Sequence, residues 1–124
     1  MITLEELLHG HLEKDIPAEY AANLKNLLPK VNKIRSTYGK PMTVTSGIRT
    51  SADQARINPK APKSKHLTGN AVDIYDPKLE LTKWLKGPGS KILEEAGLYC
   101  EEGNANWVHF QDIAPKSGRR WFLP

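Results

Sequence analysis

The chain has 124 residues, 39% of them hydrophobic and 26% charged, which is enough for one domain with its own core. No run approaches the ~20 apolar residues of a bilayer span, and Cys100, the single cysteine, excludes an intramolecular disulfide and a Cys-rich zinc finger. The net charge of +4 favours acidic partners. Arg56, Lys60, Lys63 and Lys65 have no acid between them, yet they lack the interleaved aromatics of a nucleic-acid surface. They read first as a solvated basic loop, and nucleic acid is not an expected partner. The N-terminus has no basic stretch followed by an apolar run, so cytoplasmic synthesis without a secretory signal is expected.

In chain order, Thr3 and Glu6 form a capping-box pair ahead of Leu4, Leu7 and Leu8, which predicts a short helix. Tyr20, Leu24, Leu27, Leu28, Val31, Ile34 and Tyr38 then recur at helical spacing, one apolar face of a long helix. Pro17 suits its first turn and Gly39 its C-terminal cap, while Pro29 predicts a kink or a break. Pro41 to Val44 reads as a strand running into Ser46-Gly47-Ile48-Arg49, followed by a helix from about Ser51 to Asn58. Pro59 and Pro62 mark a loop. Asn70 to Tyr75 alternates as a strand, with Ala71, Asp73 and Tyr75 on one face and Val72 and Ile74 on the other.

Asp76-Pro77 reads as the start of a helix reaching about Lys86, which Gly87-Pro88-Gly89 breaks, and Ser90 as the cap of another that ends at Gly97. Leu98 to Cys100 and Trp107 to Gln111 read as strands joined by the polar turn Glu101 to Asn106, and Trp121-Phe122 as a last strand. No linker or repeat interrupts this order. The expected class is α+β, N-terminal helices packed on a small, mostly antiparallel sheet, as one domain over residues 1–124.

Chemistry concentrates in three segments. His66 ends a loop that Gly69 lets reverse tightly. Asp73 lies between Val72 and Ile74 on a largely buried strand, where a carboxylate without donors or a cation is costly. His109 lies between Val108 and Phe110 on another strand. Two histidines and one carboxylate held by buried backbone suit a catalytic zinc site, with three protein ligands and a fourth position left for water. The alternative is a buried Asp–His hydrogen bond without metal.

Ser64-Lys65-His66-Leu67-Thr68-Gly69-Asn70-Ala71-Val72-Asp73 resembles the S-x-H-x-x-G-x-A-x-D signature of the M15 zinc peptidases. These are the D-Ala-D-Ala carboxypeptidases, the D-Ala-D-Ala dipeptidases and the phage L-alanyl-D-glutamate endolysins. Ser46-Gly47-Ile48-Arg49 is similar to their S-G-x-R segment and Trp107-Val108-His109 to their closing W-x-H, in the same order, so that the resemblance spans about residues 20–113. The compact length and the tail Ser117 to Pro124 resemble the smaller phage and prophage members.

The resemblance implies the M15 (hedgehog/D-Ala-D-Ala-peptidase-like) fold and one Zn2+ per chain on His66, Asp73 and His109. It implies hydrolysis of peptidoglycan stem peptides, of D-Ala-D-Ala carboxypeptidase or L-Ala-D-Glu endopeptidase type, by a monomer acting at the cell wall as a lysin or virion component. Arg49 would bind the substrate carboxylate or the developing oxyanion, or else form a structural salt bridge. Ser64 would contribute to substrate binding. Trp107, on the face of His109, would wall the cleft or belong to the core.

One departure concerns the base. The family's general base is a Glu three residues before the last histidine, and here that position is Asn106, whose amide cannot take a proton near neutral pH. Glu101 or Glu102 on the preceding turn would have to serve, with Glu102 as the candidate. The alternative function is a catalytically impaired, zinc-holding module that binds the cell wall or builds a phage particle. Outside this set, His9 and His11 read as solvated, Cys100 as a buried small hydrophobe, and Arg119 and Arg120 as part of a solvated tail.

Overall fold

Thr3 opens helix α1 (Leu4–Leu8) with the expected capping box: its hydroxyl accepts from the Glu6 N–H at 3.3 Å, and the Glu6 carboxylate accepts from the Thr3 N–H at 3.1 Å. The computed structural model describes residues 1–61 and 63–124; the loop signal at Pro62 lies outside the described residues. Helix α2 (Ala18–Tyr38) buries Ala21, Leu24, Leu27, Val31 and Ile34 and ends on Gly39 in the left-handed region, φ 75°. It passes Pro29 without a break. Proline removes one ladder bond, but Pro29 faces solvent, and the neighbouring turns are anchored by the fully buried Leu27 and Val31.

The sheet comprises β1 (Val44–Ser46), β2 (Ala71–Asp76), β3 (Tyr99–Glu101), β4 (Asn106–Gln111) and β5 (Trp121–Phe122), in the order β1-β2-β4-β3-β5. All pairs are antiparallel except β3–β5, so the expected class holds. β1 starts at Val44, later than expected; Pro41 has no N–H for a ladder. Helices α3 (Ser51–Ile57), α4 (Glu80–Lys86) and α5 (Ser90–Ala96) complete the chain.

Helix α4 begins at Glu80 rather than at Pro77, after a turn through Leu79, φ 57°. Asp76 still caps it from a distance, its carboxylate accepting from the N–H groups of Leu81 (3.0 Å) and Thr82 (2.9 Å) and from the Thr82 hydroxyl (2.7 Å). Ser90 is the first residue of α5 and not its cap; Gly89 precedes it, where a Cβ would lie 2.5 Å from the Trp84 ring.

The two faces of the sheet divide the labour. Val72, Ile74, Cys100, Val108 and Phe110 join Leu24, Leu27, Val31, Leu81 and Leu93 in the core. Each large apolar side chain fully buried there contributes about 1.5–3 kcal/mol. The other face carries Asp73 and Tyr75 on β2 and Trp107, His109 and Gln111 on β4, with Asp73 opposite His109 and Tyr75 opposite Trp107. Among the described residues no helix is long and apolar enough to cross a membrane.

Candidate metal centre

Each side chain of the centre is positioned by a different local device. After β1 the chain passes Gly47, where a Cβ would stand 2.1 Å from the Leu7 carbonyl oxygen. Only glycine admits that approach, and it lets the Ile48 N–H donate to Leu7 O at 2.9 Å. His66 sits in a 3-10 turn (Lys65–Thr68) that Ser64 caps, its hydroxyl accepting from the His66 N–H at 3.2 Å. Gly69 closes the turn at φ 78°, with the Tyr20 carbonyl oxygen 2.5 Å from where a Cβ would be. The turn therefore packs directly on α2. Asp73 and His109 face one another across the β2–β4 ladder.

The hydrogen bonds fix which nitrogen of each histidine is free. His66 Nδ1 lies 2.8 Å from the Gly47 carbonyl oxygen, which can only accept, so Nδ1 carries the proton and Nε2 presents its lone pair. His109 Nε2 lies 2.9 Å from Gln111 Oε1, and the Gln111 amide is oriented by its own donation to Ile113 O at 2.7 Å. His109 Nε2 is therefore the donor and Nδ1 the free nitrogen. Both free nitrogens converge on one oxygen, Asp73 Oδ1, at 3.2 Å from His66 and 3.0 Å from His109. One ligand atom from each of the three residues lies within 4.8 Å of the others, and all three residues are buried.

Two imidazole lone pairs aimed at a buried carboxylate oxygen repel unless a proton or a cation lies among them. This donor set of two neutral nitrogens and one carboxylate fits zinc or a similar divalent ion. Without a cation, a proton substitutes. Burial by itself lowers the His109 pKa, but the hydrogen bond and charge of Asp73, with help from Glu101 and Gln111, raise it overall. Burial pushes Asp73 the other way, upward, and its hydrogen bonds from His109 and His66 outweigh that and hold the carboxyl well below its usual range. A metal ion would displace that proton, as ligand binding by histidine requires.

Arg49 is the next layer. Its guanidinium donates to Ser46 Oγ (2.9 Å), Gln54 Oε1 (3.0 Å) and Asp73 Oδ2 (3.3 Å). Burial lowers its pKa, and the charges of Asp73, Glu101 and Asp53 partly offset this. The salt bridge expected as one alternative is thus present, and Arg49 also lines the cleft. That cleft, of about 890 Å3, opens over His66, Asp73 and His109 and is lined further by Ser64, Trp107, Glu101 and Phe122. Trp107 is 37% exposed and belongs to the cleft wall, not the core.

The carboxylates of the β3–β4 turn sort differently from expectation. Glu101 is the last residue of β3 and shares the face of His109, its carboxylate 3.9 Å from His109 Nε2. Glu102 lies outside the cleft and pairs with Lys86 at 2.9 Å. Asn106 is exposed at the start of β4, φ 72°, and does not line the cleft. Reading the motif alone also passes over Gln111 and Gln54. Gln111 follows His109 by two on a strand, so the period of two places it on the same face. His11, expected in solvent, instead pairs with Asp53 at 2.8 Å and ties the segment after α1 to α3.

No curated protein and no solved structure matches the chain. The family model described as Peptidase M15 matches residues 2–111, a span that takes in all three segments of the centre, and the chain belongs to the M15 peptidases.

Proposed function

We propose that the protein is a zinc-dependent peptidase that hydrolyses peptidoglycan stem peptides, with Glu101 as its general base and residues 1–124 as a single catalytic domain. One observation carries this reading: two histidine lone pairs and a carboxylate, each oriented by a fixed partner, converge on the floor of an open cleft. His66, Asp73 and His109 would hold the ion. When bound, zinc supplies Lewis acidity that polarises the scissile carbonyl and makes water easier to deprotonate.

The chain's own groups supply the rest. Glu101 accepts the proton of the attacking water and returns it to the leaving amine. Arg49 engages three of a guanidinium's five N–H groups internally, which leaves two for the substrate carboxylate or the developing oxyanion. Trp107 and Phe122 give the peptide an apolar wall. Ser64 acts through His66, since its hydroxyl caps the turn that carries that ligand. The bond cut is D-Ala-D-Ala or L-Ala-D-Glu, and the site of action is the cell wall.

A digest of isolated peptidoglycan, read by mass spectrometry with and without chelator, tests the activity and names the bond. Glu101→Gln should slow cleavage about 10²- to 10⁴-fold, and Glu102→Gln should leave it unchanged. Equal rates for wild type and Glu101→Gln would remove Glu101 as base. The amide at position 106 favours a second reading, a zinc-holding module that binds wall peptide without cutting it. Zinc-loaded protein that cleaves no wall chemistry would support that reading.

A further inference from the structure

We infer that the cleft selects stem peptides whose interior carboxylates are free and discriminates against those in which they are amidated; this rests on the wall-peptide reading above. Four lysines line the cleft: Lys60 and Lys63 from the loop after α3, Lys65 from the 3-10 turn that carries His66, and Lys116 from the segment after β4. None of the four pairs with a carboxylate among the described residues; outside the cleft Lys25, Lys30, Lys40 and Lys86 do, while Lys14, Lys33, Lys78, Lys83 and Lys91 do not, so what sets the four apart is that they line one cleft. Asp73 and Glu101 are the acids lining the cleft, and Asp73 is already engaged by Arg49 and the histidines. A bound divalent ion would add further positive charge.

The basic loop is also anchored to the centre. Gln54, buried, donates to the carbonyls of Asn58 (3.0 Å) and Ala61 (2.8 Å), while its oxygen accepts from Arg49. One amide thus joins the loop that carries Lys60 and Lys63 to the guanidinium that touches Asp73. Unpaired cations held beside a cationic centre call for a ligand with more negative charge than a single C-terminal carboxylate. A stem peptide meets this demand when the free carboxylates of its glutamate and of its diamino acid, where that residue has one, remain ionised. Amidation of those groups removes the charge and leaves the shape almost unchanged.

The test uses a synthetic stem pentapeptide with free interior carboxylates and the same peptide amidated there, both with a free C-terminus. Each is titrated into zinc-loaded Glu101→Gln protein by tryptophan fluorescence at low and high salt; a peptide still turned over is compared by kcat/KM. An exposed ion pair is worth up to about a fivefold change in affinity, so two amidations should weaken binding about 3- to 25-fold. The preference should shrink at high salt and vanish when Lys60→Gln, Lys63→Gln, Lys65→Gln and Lys116→Gln are combined. The combined variant should keep one zinc per chain and its circular dichroism; were it to misfold, the amidation and salt arms still decide. Equal binding of the two peptides, a preference that survives the combined variant, or no binding of either peptide would overturn the inference. Cleavage of isolated wall separates the two ideas. Cleavage with equal peptide binding leaves the peptidase reading standing alone. Preference without cleavage leaves the lysine selectivity on a binding module.

Discussion

Gln111→Leu is the sharpest test of how the centre is oriented. The side chain is buried, accepts from His109 Nε2 at 2.9 Å and donates to Ile113 O at 2.7 Å. Leucine has a similar size and does neither. With no acceptor at Nε2, the neutral imidazole favours the other tautomer, whose Nδ1–H donates to Asp73 Oδ1 across the existing 3.0 Å. That proton occupies the nitrogen a metal needs. Loss of such an orienting partner typically weakens metal binding 10- to 100-fold, or about 1.4–2.7 kcal/mol at ~1.4 kcal/mol per decade. Stability without metal should fall too, by about 0.5–1.5 kcal/mol for each hydrogen bond lost, because Gln111 gives up its bonds to His109 and to the part-buried Ile113 carbonyl. Gln111→Glu restores an acceptor for Nε2 and should recover most of the zinc affinity while leaving that carbonyl unpaired. Zinc affinity is read by competition with a chromophoric chelator, and stability by urea unfolding of the metal-free protein. If the leucine variant lost stability as expected yet bound zinc within twofold of wild type, Gln111 would be a packing residue and the tautomer argument would be wrong.

Three further outcomes follow from single positions. Burial pushes the Cys100 thiol well above its ordinary range, so a thiol reagent at pH 8 should label the denatured chain and spare the native one; native labelling would contradict the packing of β3. At Asp53 the backbone N–H of Thr50, then the side chains of His11, Thr50 and Arg56, outweigh burial and hold the carboxyl well below its usual 3.8. A lowered folded-state pKa gives stability that is full above the unfolded value and lost as pH falls below it. The urea midpoint should therefore drop below about pH 4, and more shallowly in Asp53→Asn; identical slopes would dismiss the lowered Asp53 carboxyl as a source of stability. Gly47→Ala forces a methyl within 2.1 Å of Leu7 O. It should cost about 1–3 kcal/mol and also weaken zinc binding, because the same residue's carbonyl orients His66; an unchanged melting temperature would show that the loop moves freely.

The fold was legible in the sequence wherever one periodicity governs a whole element. The spacing from Tyr20 to Tyr38 marks α2, and the alternation about Asp73 assigns its strand face. The three candidate ligands were legible because each lies next to core residues on a strand or in a glycine-closed turn, and because their segments resemble the M15 signature. The proposed base was harder, because a single step along a strand reverses the face. Reading the turn as beginning at Glu101 ends β3 one residue early. Extending the strand by that residue makes Cys100 the core position and turns Glu101 toward His109. Pro29 misleads for the opposite reason: its local penalty is real, but the anchors on either side outweigh it.

The centre depends on the sheet more than on any local motif. His66 and Asp73 are close in sequence, but His109 reaches Asp73 only through the β2–β4 ladder, and His66 is oriented only because Gly47 approaches α1. An unfolded chain therefore holds no such site, and any ion bound here stabilises the folded state by its full differential affinity. The same linkage explains why a small domain tolerates a buried aspartate beside two histidines. Arg49 and one shared proton can keep the cluster satisfied without an ion, and a divalent ion bound there would exchange that proton for a stronger cation.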